Sequence, residues 1–569
     1  MPVESLRVGI LCNGTTFQRW QAECIRQVMA VPGVDVVVLV VNLPVRQAGE
    51  VPPAAPRTAW QRFRDRHWGT ALYRAYRERW NVPDALRMED LGDDLTNVPR
   101  IPCRAEAKGP AQYIAQADLE RIRATRPDVL LRFGFNILKG PILELPRHGV
   151  WSYHHGDEMK FRGGPPGLWE ILHGDPVTGA ILQRLTEKLD AGRVLYKGWF
   201  STVDHSLKET VDTVMMQSSG WAAQVCRAIV SGDAAAAEGV QSATDAPIHK
   251  YPRNLDFLLF LRRMFNNKLR FHRSELKQHE EWNFGVLYQP IHTLLEEKPN
   301  LNVRWLPAPA STAFRADPFG YLDAEGQLNV LYEKYDRLTG LGEISRIRPK
   351  RDNILKRSRT LLNLPTHLSY PYVVEHEGKV YVVPENAAGG GVDIYRLNTD
   401  SDAMELVQRI LDVPLFDPTV FQHEGRWWLL GSVAPLTNVH LVAYHAPALF
   451  GPYTPHALNP IKTDIRSARP AGTPFVHEGQ LYRPGQDSSH TYGHRVVIHK
   501  VLALTPTSFK EEAFRTLGPI QGSAWNKGVH TISAVGGFTL VDGKRYVHSP
   551  EQEKRIRKRK LTRLQNGSA

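Results

Sequence analysis

The sequence predicts a multidomain chain, an α/β doubly wound sheet followed by an all-β five-bladed propeller, and three observations carry that expectation. The chain has 569 residues, more than the roughly 100 to 200 that a single core usually organises. Its first half opens on two β-branched runs, Arg7 to Leu11 and Val34 to Val41, around a stretch of helical period. Its second half repeats a turn-plus-strand unit. The expected boundaries are 1–231 for the α/β domain, 232–280 for a linker and connecting helix, 281–550 for the propeller and 551–569 for a basic tail.

Between the opening runs, Gln18 to Ala30 sets Trp20, Cys24, Ile25 and Met29 at helical spacing. That makes a strand, helix, strand unit, the start of a parallel sheet with right-handed crossovers. A proline-rich insert follows at Pro44 to Pro56, and Trp60 to Trp80 then interleaves Arg62, Arg64, Arg66, Arg74, Arg77 and Arg79 with Trp68, Tyr73 and Tyr76. This spacing suits an amphipathic helix, and equally a cover for a pocket that takes an anionic substrate. The α/β pattern resumes with a helix over Ile114 to Ala124 and strands at Asp128 to Arg132, Trp151 to His154 and Gly179 to Leu185, and one long helix over Leu207 to Ile229 closes it. Residues 232–250 are rich in Ala, Gly, Ser and Asp, which marks a linker. Tyr251 to Arg273 then reads as a basic amphipathic helix joining the halves, with Leu255, Leu258, Leu261 and Phe265 on one side.

The repeat begins at Glu325-Gly, Glu377-Gly, Glu424-Gly, Glu478-Gly and Asp542-Gly, each followed by a strand pattern, at separations of 52, 47, 54 and 64 residues. Acid-Gly pairs supply the φ > 0 geometry of a tight hairpin, and the alternation after them buries one face of a strand. Five units of this length suit five four-stranded blades. A β-sandwich of repeated hairpins competes, but it has no reason to keep the period.

Composition narrows the function. At 42% hydrophobic and 23% charged residues, the chain can bury large cores and is not a disordered polyelectrolyte. The net charge of +12 contains one dense run, Lys554, Arg555, Arg557, Lys558, Arg559 and Lys560, which reads as a solvated tail, so nucleic acid is not expected as a partner. Cys12, Cys24, Cys103 and Cys226 are too scattered for a disulfide framework or a zinc site. No metal is expected, and a cytoplasmic location without membrane insertion fits.

The informative chemistry runs from Arg132 to Leu195. Phe133-Gly-Phe-Asn-Ile-Leu, Leu145-Pro146 with Gly149, Arg162-Gly163 with Pro165 and Pro166, Gly174-Asp175, Thr178-Gly179 and Leu189-Asp190-Ala-Gly192 follow one another in order. Together they resemble the folate-dependent formyltransferases, whose fold is a Rossmann-type sheet. The resemblance implies His154 as the catalytic histidine and Asp190 as its aspartate, with Ser152 where the family carries an asparagine. It further implies a pterin site at Phe133, Gly134, Phe135, Ile137, Leu138, Arg162 and Gly163, with 10-formyltetrahydrofolate as formyl donor.

Formyl transfer to an amine passes through a tetrahedral carbon bearing an oxyanion. An imidazole can relay the amine proton while a carboxylate fixes its tautomer. Losing one oxyanion donor typically costs roughly 2.7 to 4 kcal/mol. Three outcomes follow from Ser152: it acts directly or through water, His155 replaces the missing donor, or the domain no longer transfers formyl groups.

In the second half, Ala316-Asp317-Pro318-Phe319, Leu331-Tyr-Glu333, Leu368-Ser-Tyr-Pro371, Pro384-Glu385-Asn386, Phe416-Asp417-Pro418, Ala468-Arg469-Pro470, Gln486-Asp487 and His530-Thr531 recur as a pattern. It resembles the propellers related to glycoside hydrolase family 43 and the N-terminal domain of glucosamine inositolphosphorylceramide transferase. The resemblance implies a funnel where Asp317, Glu333, Glu385, Asp417 and Asp487 converge with Arg469 and His530, reading a sugar or satisfying one another. The expected function is transfer of a formyl group to the amine of a small molecule, an amino sugar, a sugar nucleotide or a specialised-metabolite precursor, with the propeller recognising carbohydrate. A propeller-centred glycosidase or glycosyl transfer protein with a binding-only first domain is the alternative. Oligomeric state is not readable.

Overall fold

Buried on both faces, the β-branched Val34–Asn42 run pairs in parallel with Leu6–Cys12, which pairs in parallel with Val129–Arg132. The computed structural model describes residues 5–43, 68–108, 111–187, 192–273, 277–310, 312–349, 358–399 and 401–548. Two compact units divide the chain, Met1–Leu269 and Arg270–Ala569.

The first unit holds an eight-stranded sheet in the order Val240–Gln241, Arg193–Ser201, Val177–Arg184, Val150–His154, Val129–Arg132, Leu6–Cys12, Val34–Asn42, Arg100–Cys103. From Arg100–Cys103 to Val150–His154 the strands run parallel. The three at the other edge, Val177–Arg184, Arg193–Ser201 and Val240–Gln241, pair antiparallel, so the parallel sheet that the opening strands lead one to expect extends as far as Val150–His154. Residues 185–192 alone join Val177–Arg184 to Arg193–Ser201, too few for the dozen or so that a parallel crossover needs.

The helices correct the sequence reading twice. In place of one helix over Leu207 to Ile229 stand two, Leu207–Ser218 and Trp221–Val230. The hydroxyls of Ser218 and Ser219 bond back to the carbonyls of Met215 and Met216, and Gly220 follows, a combination that competes with continued helix. Tyr153 pins the break: its hydroxyl donates to the Ser219 carbonyl at 3.1 Å and accepts from the Ala222 N–H at 3.0 Å.

The second correction concerns Asn254–Arg273, which buries Phe257, Phe260 and Met264 and leaves Leu255, Leu258, Leu261 and Phe265 exposed. Both stripes have helical spacing. The aromatic one meets the rings of Tyr73 and Tyr76 at 6.1 Å, and that wider surface decides the face. Tyr73 belongs to the described part of the basic insert, a helix over Trp68–Ala75 followed by a π-helical turn over Tyr76–Trp80. Arg62, Arg64, Arg66 and the run from Lys554 to Lys560 lie outside the described residues.

Among the described residues, the second unit has five antiparallel sheets, four of four strands and one of five. Gln278–Leu287 and Phe538–His548 share one sheet with Arg304–Trp305 and Ile532–Val535. The next begins with Ala313–Leu322 and Leu328–Asp336, the third with Ser369–His376 and Lys379–Glu385, the fourth with Phe416–His423 and Arg426–Ser432, the fifth with Phe475–His477 and Gln480–Asp487. Glu377-Gly378, Glu424-Gly425 and Glu478-Gly479 have positive φ at both residues, the geometry of a two-residue hairpin turn. The Asp542-Gly543 unit is different, because it lies inside the Phe538–His548 strand. Its turn is at Gly536, where φ is +54°; Asp542 is a strand residue buried in the interior. Among the described residues, no helix is long and apolar enough to cross a membrane.

Candidate functional site

Strand alternation puts Ser152 and His154 on one face of Val150–His154 and Trp151 and Tyr153 on the other. Ser152 is buried, and its hydroxyl accepts from Arg132 Nε at 3.2 Å and Nη2 at 2.9 Å. Arg132 stands at the end of the neighbouring strand and also donates through Nη1 to the carbonyls of Phe135 and Asn136. Burial lowers the pKa of this guanidinium, yet its donors are held in place by two strand ends.

His154 is half-buried, with Nε2 3.2 Å from the Phe161 carbonyl. A proton on Nε2 donates there and leaves Nδ1 as the basic nitrogen. His155 is buried, its Nε2 3.2 Å from the Ser218 hydroxyl and its ring edge-on to Trp20 at 4.8 Å. Burial, and secondarily His154, pushes its pKa down to about 3, so it is a neutral partner of Ser218. Asp190 lies outside the described residues.

Of the residues expected around a pterin, Phe133 is half-buried and packs edge-on to Phe17 and Trp20. Phe135 and Leu138 are buried in the apolar cluster beneath the strand ends, with Phe135 at φ +64°. Ile137 is half-buried on the short strand Ile137–Lys139. Gly134 lies so near Cys12 that a Cβ would stand 2.6 Å from its carbonyl carbon. The short strand Arg162–Gly163 pairs in parallel with Ile248–His249. Arg162 Nη1 donates to the Ala246 carbonyl, and a Cβ on Gly163 would overlap the His249 carbonyl oxygen.

The sequence reading missed Arg132 and Glu170. Glu170 is buried on the helix Leu168–His173, and among the described residues its Oε1 has no hydrogen-bond partner. Burial, with smaller help from Asp175 and Asp157, pushes its pKa up to about 8. It borders a small cavity with His155, Gly156, Phe161 and the Arg162 to Pro166 loop. A lone acid in the apolar run Leu168-Trp169-Glu170-Ile171 was a visible signal. Arg132 gave none, since any strand can end on a cation.

In the second unit, Asp317 and Asp417 both precede proline, both have φ near +50°, and both sit where the pairing register shifts. The bulge turns each carboxylate inward. Asp417 receives Nε and Nη2 of Arg469 and, at 2.8 Å, the amide of Gln486. Glu385 accepts from the Asp417 N–H at 2.9 Å and lies 3.7 Å from Arg469. Asp317 accepts from the Thr531 hydroxyl at 2.6 Å and lies 3.4 Å from His530. Glu333 is buried 3.5 Å from His367. Asp487 is held apart by Arg495 and the Ser489 N–H.

Burial raises the pKa of Asp317 to about 6 and of Glu385 to about 8, and lifts Glu333 well above the usual carboxylate range, each helped by neighbouring carboxylates. Burial opposes charge on His530, but Asp542 and Asp317 outweigh it and raise its pKa to about 9. His530 Nδ1 stands 2.6 Å from Asp542. Among the described residues, Asp317, His530 and Asp542 each offer one ligand atom, all within 4.8 Å of one another, and the raised pKa of His530 makes the cluster a buried ion-pair triad.

Comparison with known proteins finds two likenesses. The family model "Glucosamine inositolphosphorylceramide transferase 1, N-terminal" matches residues 305–530. The rice glucosamine inositolphosphorylceramide transferase 1 (Oryza sativa subsp. japonica) is 33% identical over 205 residues, which are 35% of this chain and 27% of that protein. The methionyl-tRNA formyltransferase of Halalkalibacterium halodurans is 37% identical over 87 residues, 15% of this chain and 27% of that protein. The chain thus spans about a quarter of the length of these relatives. Among solved structures, the family 117 glycoside hydrolase Zg3597 of Zobellia galactanivorans aligns over 46% of this chain and 90% of its own, at 13% identity and a TM-score of 0.31. By its sequence relatives the chain combines a formyltransferase-like part with a part similar to the N-terminal region of glucosamine inositolphosphorylceramide transferase 1, and both sets of relatives are named transferases.

Proposed function

We propose that the first unit transfers a formyl group from 10-formyltetrahydrofolate to the amine of a small-molecule acceptor, an amino sugar or a related precursor, in the cytoplasm. The single observation that carries this is the Arg132, Ser152, His154 row at adjoining strand ends, a half-buried guanidinium on a buried hydroxyl beside one imidazole. The residues suit a reduced folate: the half-buried Ile137 would supply an apolar contact, with Phe135 and Leu138 in the core cluster, and Arg132, Ser152 and His154 would supply a polar edge. The folate supplies an activated formyl carbon. Nδ1 of His154 takes the proton that the attacking amine loses. The Arg132 guanidinium, reaching the site through Ser152, stabilises the oxygen that gains charge, the task the family gives to an amide. Asp190 is the expected support for the protonated imidazole.

In this reading the five sheets of the second unit close into a five-bladed propeller, joined where Gln278–Leu287 pairs with Phe538–His548, and its inner carboxylates recognise carbohydrate. The test incubates the full chain with 10-formyltetrahydrofolate and a panel of amino sugars, and follows folate release together with a one-carbonyl mass gain on the acceptor. Wild type is expected to form the product and His154→Ala to lose it with unchanged thermal unfolding. Absence of product across the panel counts against the proposal.

One observation favours a second reading. Glu385, with its raised pKa, is a protonated acid beside Asp417, which supplies the two roles of glycosidic cleavage. In that case Glu385→Gln abolishes aryl glycoside cleavage while His154→Ala leaves it unchanged.

A further inference from the structure

Beside the Arg162–Gly163 strand lies a pocket of about 470 Å³, lined among the described residues by Thr70, Gly164, His249, Lys250, Tyr251 and Arg253. None of these is a motif position of the formyltransferase resemblance except Gly164, which lies within the Arg-Gly loop. The walls are fixed by hydrogen bonds that each engage a backbone group. Gly164 N–H donates to the His249 carbonyl at 3.1 Å, the Thr70 hydroxyl to the Pro252 carbonyl at 2.9 Å, and the Gly69 N–H to Asn254 Oδ1 at 2.7 Å. The basic insert and the segment before the Asn254–Arg273 helix are thereby joined into one rim.

The rim carries an excess of cations. Lys250 and Arg253 are exposed, and among the described residues neither side chain has a carboxylate partner. Arg74 stands over the Tyr251 ring at 5.3 Å, adding a third positive charge. The nearby acid, Asp256, is turned to the Arg253 N–H at 3.0 Å. His249 forms an uncharged floor: its ring lies 4.5 Å from Trp169 and 5.7 Å from Phe161, and burial lowers its pKa. An aromatic floor under a guanidinium fork and an ammonium is the chemistry that takes a phosphate ester, the fork binding two oxygens and the lysine acting as a point charge. A pocket of this size, open to solvent, admits a small molecule. It shares Gly164 with the small cavity at Glu170, which is also lined by Phe161, the residue whose carbonyl meets His154 Nε2.

We propose that this pocket binds the phosphate or diphosphate group of the acceptor, which makes the acceptor a phosphorylated amine. Only the word amine rests on the formyl-transfer reading; anion binding stands or falls by itself.

The test uses the full chain without folate. Calorimetric titration with inorganic pyrophosphate, and with glucosamine 6-phosphate against glucosamine, is run on wild type and on the Lys250→Ala/Arg253→Ala double variant. Saturable pyrophosphate binding in wild type is expected, weakened at least tenfold in the double variant and by added salt. The phosphorylated sugar should bind at least tenfold more tightly than the free one. Both side chains are exposed, so unchanged thermal unfolding is expected, and Arg253→Lys should restore part of the affinity. No saturable pyrophosphate binding, equal affinity in the double variant, or displacement of pyrophosphate by a single-stranded RNA oligomer at lower concentration overturns the proposal. If pyrophosphate binds as expected and His154→Ala binds it equally, but wild type formylates no amine, the transfer reading fails and the pocket remains.

Discussion

Ser152 shows how a side chain gains a role from its neighbour. Alone it is a short hydroxyl where a longer amide belongs; with two Arg132 donors on it, it becomes the end of a polarised pair. Arg132→Met is therefore expected to lower kcat for formyl transfer by roughly 100- to 1000-fold, the usual loss for one oxyanion donor. Steady-state kinetics checks this, with KM little changed, while Ser152→Ala should cost less because the guanidinium persists. Glu170 gives a pH prediction. Its folded pKa of about 8 stands above its ordinary 4.5, so the folded state holds the proton more tightly. Its stabilising contribution is complete below pH about 4.5 and is lost as pH rises toward 8, at up to about 1.4 kcal/mol per pH unit. Glu170→Gln should remove that slope, read as a Tm that falls less between pH 5 and pH 8. Strand ends and loop motifs made His154, Ser152 and the Arg162–Gly163 turn legible in the sequence. Arg132 was not legible, because its partner is 20 residues away and meets it only through parallel pairing of two strands.

At the scale of elements, periodicity marks a helix better than it marks the buried face. Asn254–Arg273 carries two apolar stripes, and only the packing partners distinguish Phe260 from Leu258. Phe260→Ala is expected to cost about 3 to 5 kcal/mol and Leu258→Ala within about 0.5, measured by denaturant unfolding of the first unit. The repeat has the same character. Three Glu-Gly pairs form the expected turns, but Asp542-Gly543 looks alike and is strand, because the tight turn has already been made at Gly536. The positive φ of Asp317 and Asp417 is likewise a property of the bulge and of the proline after each.

At the scale of the molecule, the second unit depends on its ends meeting. Phe538–His548 pairs with Gln278–Leu287 over its whole length and with Ile532–Val535 on its other edge. A chain ending at Gly537 leaves both neighbours without their partner and removes Asp542 from His530. Hydrogen exchange should then show loss of protection across residues 278–287 and 532–535, with the Leu6–Cys12 strand of the first unit still protected. Asp542→Asn is the milder test. Removing the nearer of the two carboxylates on His530 while Asp317 stays in place should cost less than the roughly 3 to 5 kcal/mol of a fully broken buried pair, seen as a lower unfolding midpoint for the second unit.

What the sequence determined by itself were the local quantities: which runs are strands or helices, where acid-Gly turns fall, and which motif residues sit at strand ends. These depend on neighbours a few residues away, and so they can be read along the chain. The tertiary structure decided the pairings. It set a guanidinium on Ser152, turned one stripe of a helix inward, gathered carboxylates from separate sheets around Arg469 and His530, and brought Lys250 and Arg253 beside Thr70 at the mouth of one pocket. Such contacts join segments far apart in the chain, and their energies come from burial and charge at a distance that sequence separation does not encode.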